Sequence, residues 1–415
     1  IMEDIRVESL SDVNTELLER VLNASRPNTA PKLAVTSFSY SNAVPRGENF
    51  TSSLYRYQVE VQVEGETPSK LSLVIKLTPE TPQGRQMIEE MGCFPREVSM
   101  YNKYVPYLEG ELGASIAPKL YLGKAWGPHG VLIMEDLKET GFLMLKGITC
   151  EDVALCGRVV RLLARMHAAG HKLIKAGRVG PLYDEYPFPK NLRDVLSEMM
   201  EAGMTEAVRG VLAHSPDLQQ YAGPIAGLCR FRCEDLFYPV FTSDNPAFRT
   251  VIHGDCWNNN MMASEADIKL VDWQLSRPSL GPKELQYFLY SSTDSAFRLE
   301  HLETMYRLYH DTYLASLAGS ESRDPDYTYD RFREECARET WYPFSVAIVF
   351  AKRIAAPQAA AEFDINKSSE EMEETMRRID LENVGKVVAI FRDIICEFVA
   401  MGLLASEAGT EPPIC

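Results

Sequence analysis

His253-Gly254-Asp255-Cys256-Trp257-Asn258-Asn259-Asn260, followed by Val271-Asp272-Trp273-Gln274, is the stretch whose reading decides the fold. Phosphoryl transfer asks a protein for little covalent chemistry. It asks for a positioned hydroxyl, cations on the phosphates and a carboxylate that takes a proton. Asp255 stands where such a carboxylate belongs, and Asn260 follows five residues later. Asp272 ends the next apolar strand, twelve residues beyond Asn260. At that spacing Asn260 and Asp272 are the candidate ligands of Mg²⁺, which prefers hard oxygen donors. A His-Gly-Asp triplet alone is a weak signal. The bland alternative is that the two aspartates cap turns and Asn260 opens a loop; the pieces that lie upstream, in order, count against it.

The first upstream piece is Leu73-Val74-Ile75-Lys76. A lysine inside an apolar strand is unusual, and Lys76 is expected to hold ATP phosphates; the competing reading is an edge-strand lysine whose head reaches water. The second is Phe94-Pro95-Arg96-Glu97-Val98-Ser99-Met100-Tyr101, which sets Glu97 on a helix to pair with Lys76. Without Lys76 behind it, Glu97 would read as a solvated helical residue. The third is Gly47-Glu48-Asn49-Phe50-Thr51-Ser52, between the first two strands. Backbone N–H groups and small hydroxyls there are expected to wrap phosphate oxygens, against the simpler reading of a hairpin loop. Val131 to Leu137 reads as the connection between two lobes, with the Glu135 carbonyl and the Leu137 N–H at the adenine edge. His167 and His253 read as packed, hydrogen-bonded residues that steady this framework.

Periodicity surrounds these motifs with two kinds of structure. Apolar residues at helical spacing predict a helix over 9–25. Strands are expected over 33–40, 53–63, 71–77, 119–123 and 131–134, with one inserted helix over 84–105. Helices are expected over 152–174, 191–213, 283–319, 327–355 and 370–404, interrupted by a β-like island at 249–273. The fold class is therefore α+β, a bilobal protein-kinase-like fold. Residues 1–30 form a helical extension, 31–137 a β-rich ATP-binding lobe, and 138–415 a helical catalytic and substrate-binding lobe.

Composition narrows the function further. Lys and Arg number 43 against 59 Asp and Glu, a net charge of −16. An acidic surface repels phosphate backbones, so no nucleic acid is expected as a partner. No run of 18 apolar residues is present, so no membrane span is expected. The start, Ile1-Met2-Glu3-Asp4, lacks the charged and apolar regions of a signal peptide. Nine scattered cysteines without a CxxC pair fit reduced thiols, and the expected location is cytoplasmic. Cys256, beside Asp255, is either a thiol whose oxidation stops activity or an inert small filler.

The order GENFTS, VIKL, FPREVSMY, LIMEDL, LARMHA, HGDCWNNNMM, VDWQ and GPKELQYFLYSS resembles the ecdysteroid kinase-like family. That family lies within the choline kinase and aminoglycoside phosphotransferase superfamily, and the resemblance covers nearly the whole chain. It implies ATP- and Mg²⁺-dependent phosphorylation of a hydroxyl on an ecdysteroid or another hydroxylated metabolite or xenobiotic. Carried over to this chain, Asp255 is the base, Asn260 and Asp272 hold the metal, and Lys76 and Glu97 form the ion pair. Gly47, Asn49 and Ser52 line the phosphate loop.

Two departures stand out. Glu284 replaces the Asp expected after Gly281-Pro282 and reads as a cap for the following helix, and Trp273 replaces the Phe of Asp-Phe-Gly. Gly254 removes the arginine that would read a phosphorylated activation loop, and the short span from Asp272 to Gly281 leaves no room for one. Two other readings remain open. A choline-like or aminoglycoside-like kinase would need carboxylates or aromatics around a cation, where a steroid needs an apolar pocket. Tyr287, Phe288, Tyr290, Trp341, Tyr342 and Phe344 suit both. A ligand-binding pseudokinase is the third reading.

Overall fold

Strand alternation builds the first lobe. Tyr55, Tyr57, Val59, Val61 and Val63 lie on one face of β2 (Ser53–Val63) and are buried. Leu73 and Ile75 do the same on β3 (Ser69–Leu77). With β1 (Leu33–Asn42), β4 (Leu120–Trp126) and β5 (His129–Glu135) they form an antiparallel sheet in the order β1-β2-β3-β5-β4. Helix α1 (Thr15–Ala24) covers that face with Leu17, Leu18, Val21 and Leu22. Its N-terminus is fixed by the Asn14 side chain, which accepts the Leu17 N–H at 3.0 Å. The structure is a computed structural model. It describes residues 4–43, 52–145, 147–148, 150–179, 208–229, 246–338, 340–355 and 369–404, with isolated positions between 197 and 205. Gly47 and Asn49 lie outside the described residues, as does most of the helix expected over 191–213.

The single helix expected over 84–105 is instead a broken run. Helix α2 (Pro82–Met91) stops at Gly92, whose φ is 61°, and α3 (Cys93–Ser99) starts anew. A π turn over Met100–Tyr104 leads into α4 (Val105–Leu112). There the Val105 N–H reaches the Met100 carbonyl five residues back, and Pro106 follows with no N–H to give. Apolar periodicity ran through these breaks because α3 and α4 still bury the same side, with Phe94, Met100, Tyr104 and Leu108 in the main core.

The second lobe is helical. Its central helix α5 (Val153–Lys175) is buried along Val159, Val160, Leu163, Met166 and His167. Helix α6 is Ala222–Leu228. The helix expected over 283–319 is two, α7 (Gly281–Ser292) and α8 (Ser295–Ser316), because Asp294 caps the second by accepting the Phe297 N–H at 2.7 Å. The next prediction also splits, into α9 (Tyr329–Ala337) and α10 (Trp341–Ala355), and α11 (Ser369–Ala400) closes the lobe. The β-like island resolves into two ladders. Strand β7 (Arg249–Ile252) pairs with β10 (Arg277–Leu280), while β8 (Met261–Ala263) pairs with β9 (Ile268–Leu270) and with β6 (Leu143–Met144).

Among the described residues no helix is long and apolar enough to cross a membrane. Cys93, Cys156, Cys229, Cys256 and Cys336 are free, buried thiols.

Candidate active site

Lys76 sits on β3, opposite Leu54 of β2 and Leu132 of β5, with strands on both sides. It is therefore no edge-strand lysine: only 4% of it is exposed. Its ammonium lies 2.8 Å from Glu97 Oε2 on α3 and 2.8 Å from Asp272 Oδ1 in the helical lobe. The contact with Asp272 is an aligned hydrogen bond; that with Glu97 is an ion pair. Burial works against the charge on Lys76, but Asp272 and then Glu97 outweigh it and hold the ammonium's pKa above its usual range. Burial pushes the Glu97 carboxyl up, against the pull of Lys76.

Asp272 has φ 67° and is the one non-glycine residue with positive φ among the described residues. Such backbone costs on the order of 1–3 kcal/mol and persists where surrounding structure enforces it. The enforcement is visible on both sides. The Val271 N–H donates to the Asn260 carbonyl at 3.0 Å, and His253 Nε2 meets the Val271 carbonyl at 2.9 Å. Trp273 is fully buried with Nε1 on the Leu270 carbonyl at 3.1 Å. Arg96 of α3 donates to the Gln274 carbonyl at 3.0 Å. Arg96 and Glu97 are neighbours, so α3 reaches the Asp272 segment through one and Lys76 through the other. The sequence reading missed Arg96; its only signal was a charged residue on the buried side of an amphipathic helix.

The loop after β7 carries Asp255. Asn260 Nδ2 donates to its carbonyl at 2.9 Å and to its Oδ2 at 2.8 Å. Gly254 has φ 88°, and a Cβ there would fall 2.1 Å from the Leu275 carbonyl oxygen, so the position admits glycine alone. Glu284 does not cap α7, which corrects the expectation for it: the helix has no side-chain cap. Its carboxylate instead accepts the His253 N–H at 2.9 Å and the Gly254 N–H at 2.6 Å. It also meets His167 Nε2 at 2.8 Å, whose Nδ1 lies 2.7 Å from the Tyr309 hydroxyl. Because an ionised carboxylate only accepts, Nε2 is the donor in that pair. Burial alone would raise the Glu284 pKa; the bonds from His167 and Gly254, with the charges of His167 and His253, bring it below its usual value.

The remaining predicted positions divide. Ser52 is buried at the head of β2, beside the point where Leu54 faces Lys76. Glu135 ends β5 with its N–H on the Lys119 carbonyl at 2.9 Å. Leu137 packs with Phe142 and Met262, and its carbonyl accepts the Phe142 N–H at 3.0 Å. Between those two, Asp136 is anchored to the sheet by Arg56 Nε at 2.6 Å and Ser72 Oγ at 2.8 Å. Cys256 is fully buried, and burial pushes its thiol well above the usual range, which favours the inert filler. Tyr287, read from sequence as one aromatic among several, donates to Asp255 Oδ1 at 2.6 Å.

A sheet lobe whose buried lysine reaches a carboxylate of the helical lobe is the way kinase-like phosphotransferases are built, and this fold is of that class. More narrowly, the chain belongs to the ecdysteroid kinase-like family, whose model matches residues 46–319. The family's members are small-molecule phosphotransferases acting on hydroxyl groups. No curated protein matches the chain. Among solved structures, it is similar to a choline kinase from Cryptosporidium parvum Iowa II, at 13% identity and TM-score 0.40, covering 94% of this chain and 98% of that one. It is similar to a microcompartment-associated aminopropanol kinase at 10% identity and TM-score 0.39, covering 94% and 98%. An amicoumacin kinase in complex with AMP-PNP, Ca²⁺ and Ami follows at 12% identity and TM-score 0.36, covering 83% and 88%.

Proposed function

We propose that the protein transfers the γ-phosphoryl group of ATP to a hydroxyl of an apolar small molecule, an ecdysteroid or a similarly hydroxylated metabolite or xenobiotic, in the cytoplasm. The observation that carries the reading is the meeting of Lys76, Glu97 and Asp272 from three elements of two lobes. Around the nucleotide, residues 31–137 act as its upper lobe and 138–415 as the catalytic and acceptor lobe. Lys76 binds phosphate oxygens, exchanging its contact with Asp272 for one with the nucleotide, while Glu97 keeps it aimed. The Glu135 carbonyl and Leu137 N–H meet adenine, and Gly47, Asn49 and Ser52 close over the phosphates.

The donors available to Mg²⁺ fit it. Asp272 offers a carboxylate, and Asn260, whose Nδ2 is spent on Asp255, has its Oδ1 left; both are hard oxygens. Among the described residues no set of three or more His, Cys, Asp or Glu forms a ready cage. That suits a metal that completes its shell with phosphate oxygens and water. Mg²⁺ would supply charge neutralisation on the transferring group. Asp255 orients the acceptor hydroxyl and takes its proton as the oxygen–phosphorus bond forms and the bond to ADP breaks.

The test is incubation with γ-labelled ATP, Mg²⁺ and ecdysone, with choline as a separate acceptor and Asp255→Asn as control. Label in ecdysone, lost by about 10²-fold or more in the control, is expected. Equal turnover of choline would overturn the apolar acceptor, and full activity in Asp255→Asn would overturn the site.

A further inference from the structure

Both oxygens of the Asp255 carboxylate are held, and by different elements. Asn260, on its own loop, donates to Oδ2 at 2.8 Å. Tyr287, on α7, donates to Oδ1 at 2.6 Å. Helix α7 thus touches the loop twice. Glu284 fixes the backbone of His253 and Gly254, and Tyr287, three residues later on the same helix face, reaches the side chain of Asp255.

The phenol has little freedom to let go. Its ring meets the ring of Phe350 edge-on at 5.5 Å, and Phe350 meets Trp257 edge-on at 5.0 Å. Trp257 belongs to the Asp255 loop and Phe350 to α10, so three elements brace one hydroxyl. A buried tyrosine wants a hydrogen-bond partner, and any backbone carbonyl would serve for packing alone. Here the partner is the one carboxylate that the proposed reaction needs aimed at an acceptor.

We propose that Tyr287 is a positioning residue. Its hydroxyl, with Asn260, locks Asp255 in the one rotamer that presents the carboxylate to the incoming hydroxyl. Tyr287 keeps its own proton throughout; the acceptor's proton goes to Asp255. The geometric claim stands on the hydrogen bonds, and its kinetic consequence rests on the phosphotransfer reading above.

Crystal structures of the parent and Tyr287→Phe, paired with steady-state kinetics on Mg²⁺-ATP and ecdysone, test this. In Tyr287→Phe, Asp255 should occupy more than one rotamer while Phe350 and Trp257 stay in place. Turnover should fall about 10- to 100-fold, the equivalent of one hydrogen bond to a charged group, with KM for ATP changed by less than about 2-fold. Phe350→Leu, which keeps the phenol and removes its brace, should show the same rotamer spread with a smaller loss. A single Asp255 rotamer on Asn260 in both variants overturns the proposal, whatever the rates. A displaced Asp255 in Tyr287→Phe, beside a parent that fails to phosphorylate ecdysone, supports the positioning and counts against the acceptor reading alone.

Discussion

Lys76 is a charge in the middle of a sheet, and two carboxylates share it. Removing a charge from water costs several kcal/mol per ion, so such a residue is tolerated only with close partners. Glu284 is a second buried charge, and it acts on backbone as well as on the His167 side chain. It satisfies two loop N–H groups that would otherwise be orphaned. Glu284→Gln offers only one oxygen acceptor and should cost about 1–3 kcal/mol at neutral pH. Its pH dependence has a definite sign. The folded-state pKa of Glu284 lies below the reference of 4.5. Its ionised form therefore stabilises the fold fully above that reference, and the contribution is lost as pH falls through the lower folded value. Urea melts of parent and variant should differ at neutral pH and converge as pH falls below the 4.5 reference. A gap that stays constant over that range would remove the carboxylate from the account. Asp255, Asp272 and Lys76 were legible from residue type and spacing. Tyr287 was not, because a tyrosine in an aromatic-rich helix looks the same whether its hydroxyl meets a carbonyl or Asp255.

Helix α3 is the element on which the proposed nucleotide half of the site depends. It carries Phe94, Arg96 and Glu97, and it is seated on the sheet through Gly130 of β5. A Cβ on Gly130 would come 2.3 Å from Phe94 Cε1. Gly130→Ala should push Phe94 away and take Glu97 with it. The expected cost is about 1–3 kcal/mol from overpacking, with Mg²⁺-ATP binding weakened about 10-fold, the equivalent of about 1.4 kcal/mol. Calorimetric titration of ATP beside a thermal melt checks both. Full affinity in a destabilised variant would show that α3 moves without Glu97. At this scale the reading from sequence held for element type and failed at the breaks. Gly92 and the turn before Pro106 interrupt a run whose apolar face continues through both, and periodicity sees the face rather than the hydrogen bonds. Asp294, likewise, is one polar residue between two helices of the same phase until its carboxylate is seen on the Phe297 N–H.

Across the whole molecule, α11 returns from the C-terminal end to pack on the helices beneath the site. A buried bidentate pair ties it down. Arg298 of α8 meets Glu397 of α11 through Nε at 2.8 Å and Nη2 at 2.6 Å, and both residues are buried. Arg298 also donates to the Thr293 carbonyl at the joint between α7 and α8. Glu397→Ala leaves a buried guanidinium without its counter-charge and should cost about 3–5 kcal/mol. Denaturant unfolding measures it; a cost under about 1 kcal/mol would mean that water reaches Arg298. The sequence by itself determined the division into a β-rich and a helical lobe, the position of the loop at 253–260 and the family to which the chain belongs. It could do so because alternation, helical spacing and the intervals between Asp255, Asn260 and Asp272 are local properties of the chain. Only the tertiary structure decided that Lys76 is central rather than at an edge, that Glu284 serves the Asp255 loop rather than its own helix, and that Tyr287 grips Asp255. Each of these is a contact across tens of residues. Such contacts are set by packing and by the need to satisfy buried polar groups, and neither leaves a periodic trace in the sequence.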